Sequence, residues 1–445
     1  MKGVDRMIRK AVSMFIIMCI IIMAIGPAYA YALTITKEAA PAILNDYLVA
    51  HPEIEVVPMI DDTEFIREAL DHSDAIDVYF FHTLQSTIFE TLRDKEFLLP
   101  LDDPELTEFA QSLYPELQSI ITYNGKVCAI PFAMIVQPGM GVYIDTWEKC
   151  GFSKENLPRT WGQLMRFASE EWPLISDQYE GVGLFDEADN SYALLTQIGN
   201  NYEAWRAQHN YEFGYDTPEF REILELLRQM SKAEDYDDNE DAQEYLFCCS
   251  YFPSVNKYGI NTRSLQLSFK EEEGPCWATG VLVMAINPCS KHIDESMELV
   301  KYVAQHLNVY DRMDMCPGEN EPVIGELYYE SQAEYEAQMR LYSQKLEGAE
   351  DGVSYKEIEM ERDAYDHEMQ AFLSENKYEA SPESIRQYRQ EVKDALMPIY
   401  RTGLSREEYR AVNEKRQQFL DGQISADQYI AELERRFVFN VLENQ

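Results

Sequence analysis

Between Ala32 and Phe81 the chain switches repeatedly between two hydrophobic periods, and this alternation narrows the choice of fold more than any other feature. Ala32 to Thr36 reads as a strand, and Ala39 to Ala50 as a helix stopped by His51-Pro52. Ile54 to Met59 is strand-like, Thr63 to Leu70 helical, and Ile76 to Phe81 reads as an apolar strand run. Strand and helix alternating over such short distances predict βαβ units around a parallel sheet. A second run of this kind opens at Lys126-Val-Cys-Ala-Ile-Pro131. With 445 residues, 46% of them hydrophobic, the chain has material for two or three packed domains.

The residues ahead of the first strand carry an export signal. Lys2, Arg6, Arg9 and Lys10 precede an apolar run from Met14 to Ile25, which Gly26-Pro27 breaks before Ala28, Ala30 and Ala32. A positive start, a short apolar stretch and alternating small residues mark a secretory signal peptide, here cut after Ala30 or Ala32. The open alternative is an uncleaved anchor, because Ala11 to Ala32 just reaches the length of a bilayer span. Either way the chain beyond is exported, to the cell surface, the periplasm or the medium.

A formal net charge of -41 excludes nucleic acid as a partner, since binding it requires neutralising phosphates with Lys and Arg. Cys19 lies in the leader, and seven Cys follow it: 128, 150, 248, 249, 276, 289 and 316. An odd number cannot pair fully within one chain. The apolar context of most predicts buried thiols, with one disulfide left open.

Further along, helix starts are well marked. Thr160 with Gln163 forms a capping-box pattern, and Thr217-Pro218 sets a cap before a first-turn proline. The helix that follows should bury Phe220, Ile223, Leu224 and Leu227. Gly280 to Ile286 reads as a buried strand, Ser290 as the cap of the next helix, and Ser425 with Gln428 as a final capping box. From Leu327 to Tyr400 glycine nearly vanishes, and Tyr335, Met339, Tyr342, Leu346 and then Ile358, Tyr365, Met369, Phe372 recur at helical spacing. Two or three long amphipathic helices are expected there.

Catalytic motifs do not emerge. There is no GxSxG, Walker loop or HExxH, and Gly139-Met-Gly141 lacks the third glycine of a dinucleotide fingerprint. The seven His are scattered singly, so no cofactor or metal is expected. Asp186, Glu187 and Asp189 form an acidic cluster on an expected loop. Tyr192, Trp205, Tyr251 and Trp277 are placed in loops or at strand ends, where flat rings flanked by acids and amides suit a sugar.

Several segments together resemble the extracellular solute-binding proteins of ABC sugar importers. Leu44-Asn-Asp-Tyr-Leu-Val-Ala-His-Pro-Glu-Ile-Glu-Val is similar to that family's first helix and following strand. Asp77-Val-Tyr79 with Leu99-Pro-Leu-Asp-Asp103 resembles a second passage, and Asn124-Gly-Lys-Val-Cys-Ala-Ile-Pro131 with Tyr143, Trp147, Gly151 and Pro158-Arg-Thr-Trp161 a third. Gly280 to Val303 and Gly422 to Tyr429 complete an ordered set.

The resemblance implies an α/β, two-lobe periplasmic-binding-protein-like fold of type II, enlarged by long helices in the C-terminal third. It divides the chain into residues 33-128 with about 286-325 as lobe 1, and 129-285 with about 400-445 as lobe 2. Residues 326-400 are then a helical insertion on lobe 2. Crossings between lobes are expected near Val127 to Pro131, near Val281 to Ile286 and after Cys316. The implied ligand-binding residues are Phe81, His82, Asp189, Asn190, Tyr192, Tyr251, Trp277 and Tyr409, to which the reading of the aromatic set adds Trp205. The implied role is capture of a carbohydrate by a monomer and delivery to ABC permease subunits, without catalysis. The alternatives are a ligand-presenting adjunct of a membrane sensor and an exported carbohydrate-active enzyme.

Overall fold

The computed structural model describes residues 33–37, 42–58, 67–68, 70–84, 88–136, 139–186, 190–212, 214–231, 242–251, 253–256, 262–349, 352–398 and 406–443. The leader and most of the helix expected at Thr63 to Leu70 lie outside the described residues. Two hydrophobic cores organise the rest.

The first lobe begins as the alternation predicts. Strand β1 (Thr34–Lys37), helix α1 (Ala42–Ala50) and strand β2 (Glu55–Pro58) form a βαβ unit with β1 and β2 parallel. Strand β3 (Val78–His82) pairs with β1 in parallel on the other side. Asp77 ties this edge: one carboxylate oxygen accepts the Thr34 N–H at 2.8 Å and the other the Ser290 hydroxyl at 2.6 Å. Helices α2 (Ile88–Asp94), α3 (Pro104–Ser112) and α4 (Pro115–Ile121) follow, α3 capped by Asp103. A hairpin of β4 (Thr122–Tyr123) and β5 (Lys126–Val127) turns at Asn124-Gly125, both at positive φ, as a two-residue turn that follows strand twist requires. Strand β6 (Ile130–Val136) then enters the first sheet.

The second lobe takes over with β7 (Gly139–Tyr143), α5 (Ile144–Lys149), α6 (Trp161–Arg166) and β8 (Val182–Phe185). Gln163 N–H donates to the Thr160 hydroxyl at 3.1 Å, so the predicted cap is present. Helix α7 spans Asn190–Gln208 and α8 Pro218–Met230, the latter burying the four apolar residues its spacing picked out. Strands β9 (Glu244–Tyr251) and β10 (Thr262–Leu265) complete a sheet ordered β10-β7-β9-β8, mostly antiparallel.

Strand β11 (Trp277–Ile286) returns to the first lobe and is its spine. It pairs antiparallel with β6 on one edge and with β3 on the other, which matches a run buried on both faces. Helices α9 (Ile293–Gln305) and α10 (Val309–Met315) pack behind it. His292 occupies the N-cap of α9. Ser290, expected there, instead accepts the His292 N–H and binds Asp77, closing the preceding turn.

Strand β12 (Val323–Ile324), α11 (Glu326–Glu347), α12 (Gly352–Glu375) and β13 (Tyr378–Ala380) form a helical hairpin on a two-stranded stem. Helix α13 (Pro382–Val392) and strand β14 (Leu396–Pro398) follow, β14 running parallel to the start of β11. Helices α14 (Arg406–Leu420) and α15 (Ala426–Glu443) end the chain in the second core, α15 opened by a reciprocal Ser425–Gln428 box.

Three expectations about the lobes are corrected. Ile130, Phe132 and Val136 belong to the first core because β6 stays in the first sheet, so the first crossing comes after Val136 and not at Val127 to Pro131. The second lies at Cys276–Ala278, where core membership changes within three residues, and not at Val281 to Ile286. The third follows Leu396, because Ala380, Ile385, Tyr388 and Val392 are buried in the first core. The insertion is therefore anchored on the first lobe rather than the second. Among the described residues the seven Cys are free thiols, five of them buried.

Candidate functional site

The second crossing, at Cys276–Ala278, lies beside the strand ends of both lobes. Strand β3 ends at His82, and the next residue turns directly onto β11: Thr83 N–H donates to the Val281 carbonyl at 3.1 Å while its hydroxyl accepts the Val281 N–H at 2.9 Å. Gly280 permits this approach, since a Cβ there would stand 2.5 Å from Leu84 Cγ. From the other lobe Tyr251, the last residue of β9, pairs with Gly139, the first residue after the crossing. Open α/β sheets bind ligands outside the carboxyl ends of their strands, which is where these residues stand.

The second lobe adds a concave wall of about 460 Å³ lined by Tyr192, Arg410, Asn413, Glu414 and Gln417. Tyr192 lies in the first turns of α7; the other four occupy one face of α14 at spacing i, i+3, i+4, i+7. Beneath them Arg416 is buried. Its guanidinium stands 5.2 Å from the Tyr192 ring centre, donates to Asn413 Oδ1 at 3.0 Å, and bonds the phenols of Tyr192 and Tyr429. The wall thus offers one half-buried aromatic ring, two amides, a carboxylate and a guanidinium, a set that stacks on a pyranose and bonds its hydroxyls.

Asp186 holds the turn that leads into this wall. Its two oxygens accept the Tyr143 hydroxyl and the Cys249 N–H, each at 2.9 Å. That ties β8 to β7 and β9 and explains one member of the acidic cluster as a positioning residue. Glu187 and Asp189 lie outside the described residues.

Only part of the predicted site is brought together. Tyr192 lines the wall, and His82 is half-buried at the end of β3. Asn190 begins α7 and Tyr409 lies in α14, so backbone geometry sets both beside the wall, though their side chains lie outside the described residues. Trp205 is displaced altogether. It lies in α7, 1% exposed, with its indole N–H on Glu273 and its ring among Tyr202, Tyr211 and Phe269. Periodicity missed α7 because buried Gln197 and Asn201 interrupt its apolar face; Gln197 bonds the Cys249 carbonyl and Asn201 the Gln197 carbonyl.

Trp277 (6% exposed), Tyr251 (4%) and Phe81 (3%) are likewise packed in cores, Phe81 against Tyr79 and Phe89. A ring so enclosed has no face to offer a ligand in this arrangement. Arg410, Asn413, Glu414 and Gln417 were missed. Their helical spacing was legible, but a polar stripe on a C-terminal helix reads as a solvated face.

The lobes also touch away from the wall. The chain after β9 reaches into the first lobe, where Val255 is fully buried and its N–H donates to Asp314 Oδ1 at 2.9 Å. Burial pushes the Asp314 carboxyl up to about 6, against the downward pull of the Ser254 hydroxyl and this N–H. Arg263 of β10 bonds Gln387 of α13, and Gln208 Nε2 reaches the Asp394 carbonyl at 3.1 Å. Among the described residues no helix is long and apolar enough to cross a membrane, and no group of three or more His, Cys, Asp or Glu is placed to hold a metal ion.

No family model matches this sequence, and no curated protein is significantly similar to it. Solved structures do match. A binding protein of Bacillus subtilis, MsmE, in an open conformation superposes with a TM-score of 0.55 at 13% identity, covering 93% of this chain and 98% of that one. A sugar transporter protein of Bacillus licheniformis in complex with stachyose gives 0.54 at 14%, covering 92% and 100%. Maltose-bound MalE3 of T. maritima gives 0.52 at 15%, covering 92% and 99%. The likeness covers more than nine-tenths of the chain, which has the two-lobe fold of the ABC sugar-binding proteins.

Proposed function

We propose that this chain captures a carbohydrate between its two lobes and delivers it to an ABC permease on the outer side of a membrane. The observation that carries the reading is the wall of Tyr192 with Asn413 and Gln417 on the second of two lobes with separate hydrophobic cores. Binding closes the hinge around the ligand, and the closed shape is what the permease takes up. Neighbours of the same fold hold maltose, stachyose and D-mannitol, which supports a hydroxyl-rich ligand. Covalent chemistry is not needed for this role: stacking and hydroxyl bonds supply affinity, and closure supplies the signal. The export-like leader ahead of the first strand supports a place outside the cytoplasm.

Tryptophan emission titrated with maltose, stachyose, D-mannitol and a chitin oligosaccharide tests the reading. Trp277 stands at the second crossing and reports closure, while the other four tryptophans lie inside the second core. A saturable shift with the sugar recovered unchanged is expected. Turnover of any of these sugars would make the protein an enzyme instead.

A further inference from the structure

The hairpin of α11 and α12 is not explained by ligand capture. Its helices run 22 and 24 residues, yet among their described side chains only Ser331, Tyr342 and Leu373 are buried. The two helices hold each other through their inner faces: Tyr335 stacks on Tyr365 and its hydroxyl donates to Asp366 at 2.6 Å. The outer faces expose Leu327, Tyr329, Leu341, Val353 (69%), Tyr355 and Met360 (73%). Apolar exposure on this scale marks an interaction surface.

Charge identifies the kind of partner. Residues 326–375 hold fourteen Asp and Glu against four Lys and Arg, a net of -10 in a chain whose total is -41 over 445 residues. About a quarter of the net charge thus sits on a ninth of the chain. Two such arms repel each other, and an anionic lipid surface repels either one. A protein surface with apolar pockets and a Lys/Arg rim is complementary to both features.

The root of the arm indicates which protein that is. The stem pairs Val323 with Ala380, Gly325 N–H donates to the Lys377 carbonyl at 3.2 Å, and Tyr310 of the first lobe bonds Glu379. Directly after the stem, α13 is locked to the first lobe by Arg389, which bonds the Tyr114 hydroxyl at 3.0 Å and the Glu319 carbonyl at 2.7 Å. The same helix touches the second lobe through Gln387 and Arg263. The arm therefore moves as one body with the first lobe, and its root stands where the second lobe shifts on closure. A partner that grips the arm and the second lobe together distinguishes open from closed.

We propose that the hairpin 326–375 is a docking arm for the cationic, apolar-pocketed outer surface of the permease that receives the loaded protein; this rests on the delivery role above. Two variants of the full chain test it. Leu341→Ser, Val353→Ser and Met360→Ser together remove the apolar anchors, and Glu357→Lys, Glu361→Lys and Glu368→Lys together reverse the charge. All six side chains are exposed, so folding and sugar affinity should match the unmodified protein.

The readout is uptake, by proteoliposomes carrying the permease, of whichever labelled test sugar titrates the tryptophan emission, at limiting binding protein. Each variant should lower uptake at least tenfold, and raised salt should weaken uptake by the unmodified protein more than by the charge variant. Unchanged uptake by both variants with sugar binding intact sinks the arm alone. No sugar binding by the unmodified protein sinks the delivery role and the arm with it. Self-association in sedimentation, or flotation with phosphatidylglycerol vesicles, that the serine variant abolishes would assign the surface elsewhere and overturn the proposal.

Discussion

In the first lobe a ten-residue strand, β11, is paired along both edges and buried on both faces, and the lobe's shape follows from that ladder. The second lobe rests on rings. Four of the five tryptophans, Trp147, Trp161, Trp172 and Trp205, lie in its core with Phe167, Phe185 and Phe247 between them. Its sheet is short, and two helices far apart in the sequence, α7 from the middle and α14 from the C-terminal part, build its open wall. A hydrogen-bonded ladder fixes position to a fraction of a residue, whereas side-chain packing tolerates substitution at the surface of the wall. In the proposed capture role the first lobe would act as the fixed jaw and the second would carry the recognition chemistry.

The sharpest way to break this contrast is at Gly280. Gly280→Leu forces a side chain into the space of Leu84 and Thr83 and should cost at least about 3 kcal/mol by overpacking. A denaturant midpoint close to the unmodified protein's would show that the first lobe is not rigid at its spine.

Glu90 sharpens the contrast through pH. It is buried in α2 of the first lobe, and burial pushes its carboxyl up to about 7. Because this folded value exceeds the unfolded one, the cost of ionising it is absent at low pH and grows as pH rises from about 4.5 to 7. Glu90→Gln should therefore stabilise the protein by up to about 3 kcal/mol at pH 8, the gain fading toward pH 4.5. Thermal unfolding of both proteins across that range checks it; a pH-independent difference would contradict it.

On the second lobe, Tyr192→Ala should weaken sugar binding by about 1–3 kcal/mol and also lower stability, since its phenol and ring partner the buried Arg416. Trp205→Phe should lower stability and leave affinity alone, since its ring is enclosed and its N–H engages Glu273. Calorimetric titration of both variants separates the roles. The smallest effect belongs to the cap of α15, where Ser425→Ala removes one side of a reciprocal pair and should cost about 1 kcal/mol.

The same contrast explains what was legible in the sequence. The first lobe's strands could be read because burial on both faces leaves apolar runs, as at Val78 to Phe81 and Gly280 to Ile286. The caps at Thr160, Thr217 and Ser425 were readable because one side chain and one spacing make them. The crossings were not, since β6 and β11 continue past the points where family motifs end. The wall was legible only at Tyr192. Aromatic residues are as common in cores as in clefts, and Trp205, Trp277 and Tyr251 differ from Tyr192 only in what the fold sets over them. The amides of α14 meet Tyr192 across more than two hundred residues, a pairing that no local pattern encodes.

Closure around a sugar is the central claim, and small-angle X-ray scattering tests it most directly. The radius of gyration should fall on titration with the sugar that shifts the tryptophan emission, with the same midpoint in both signals. A radius that stays constant while the sugar is bound at saturation would contradict capture between the lobes.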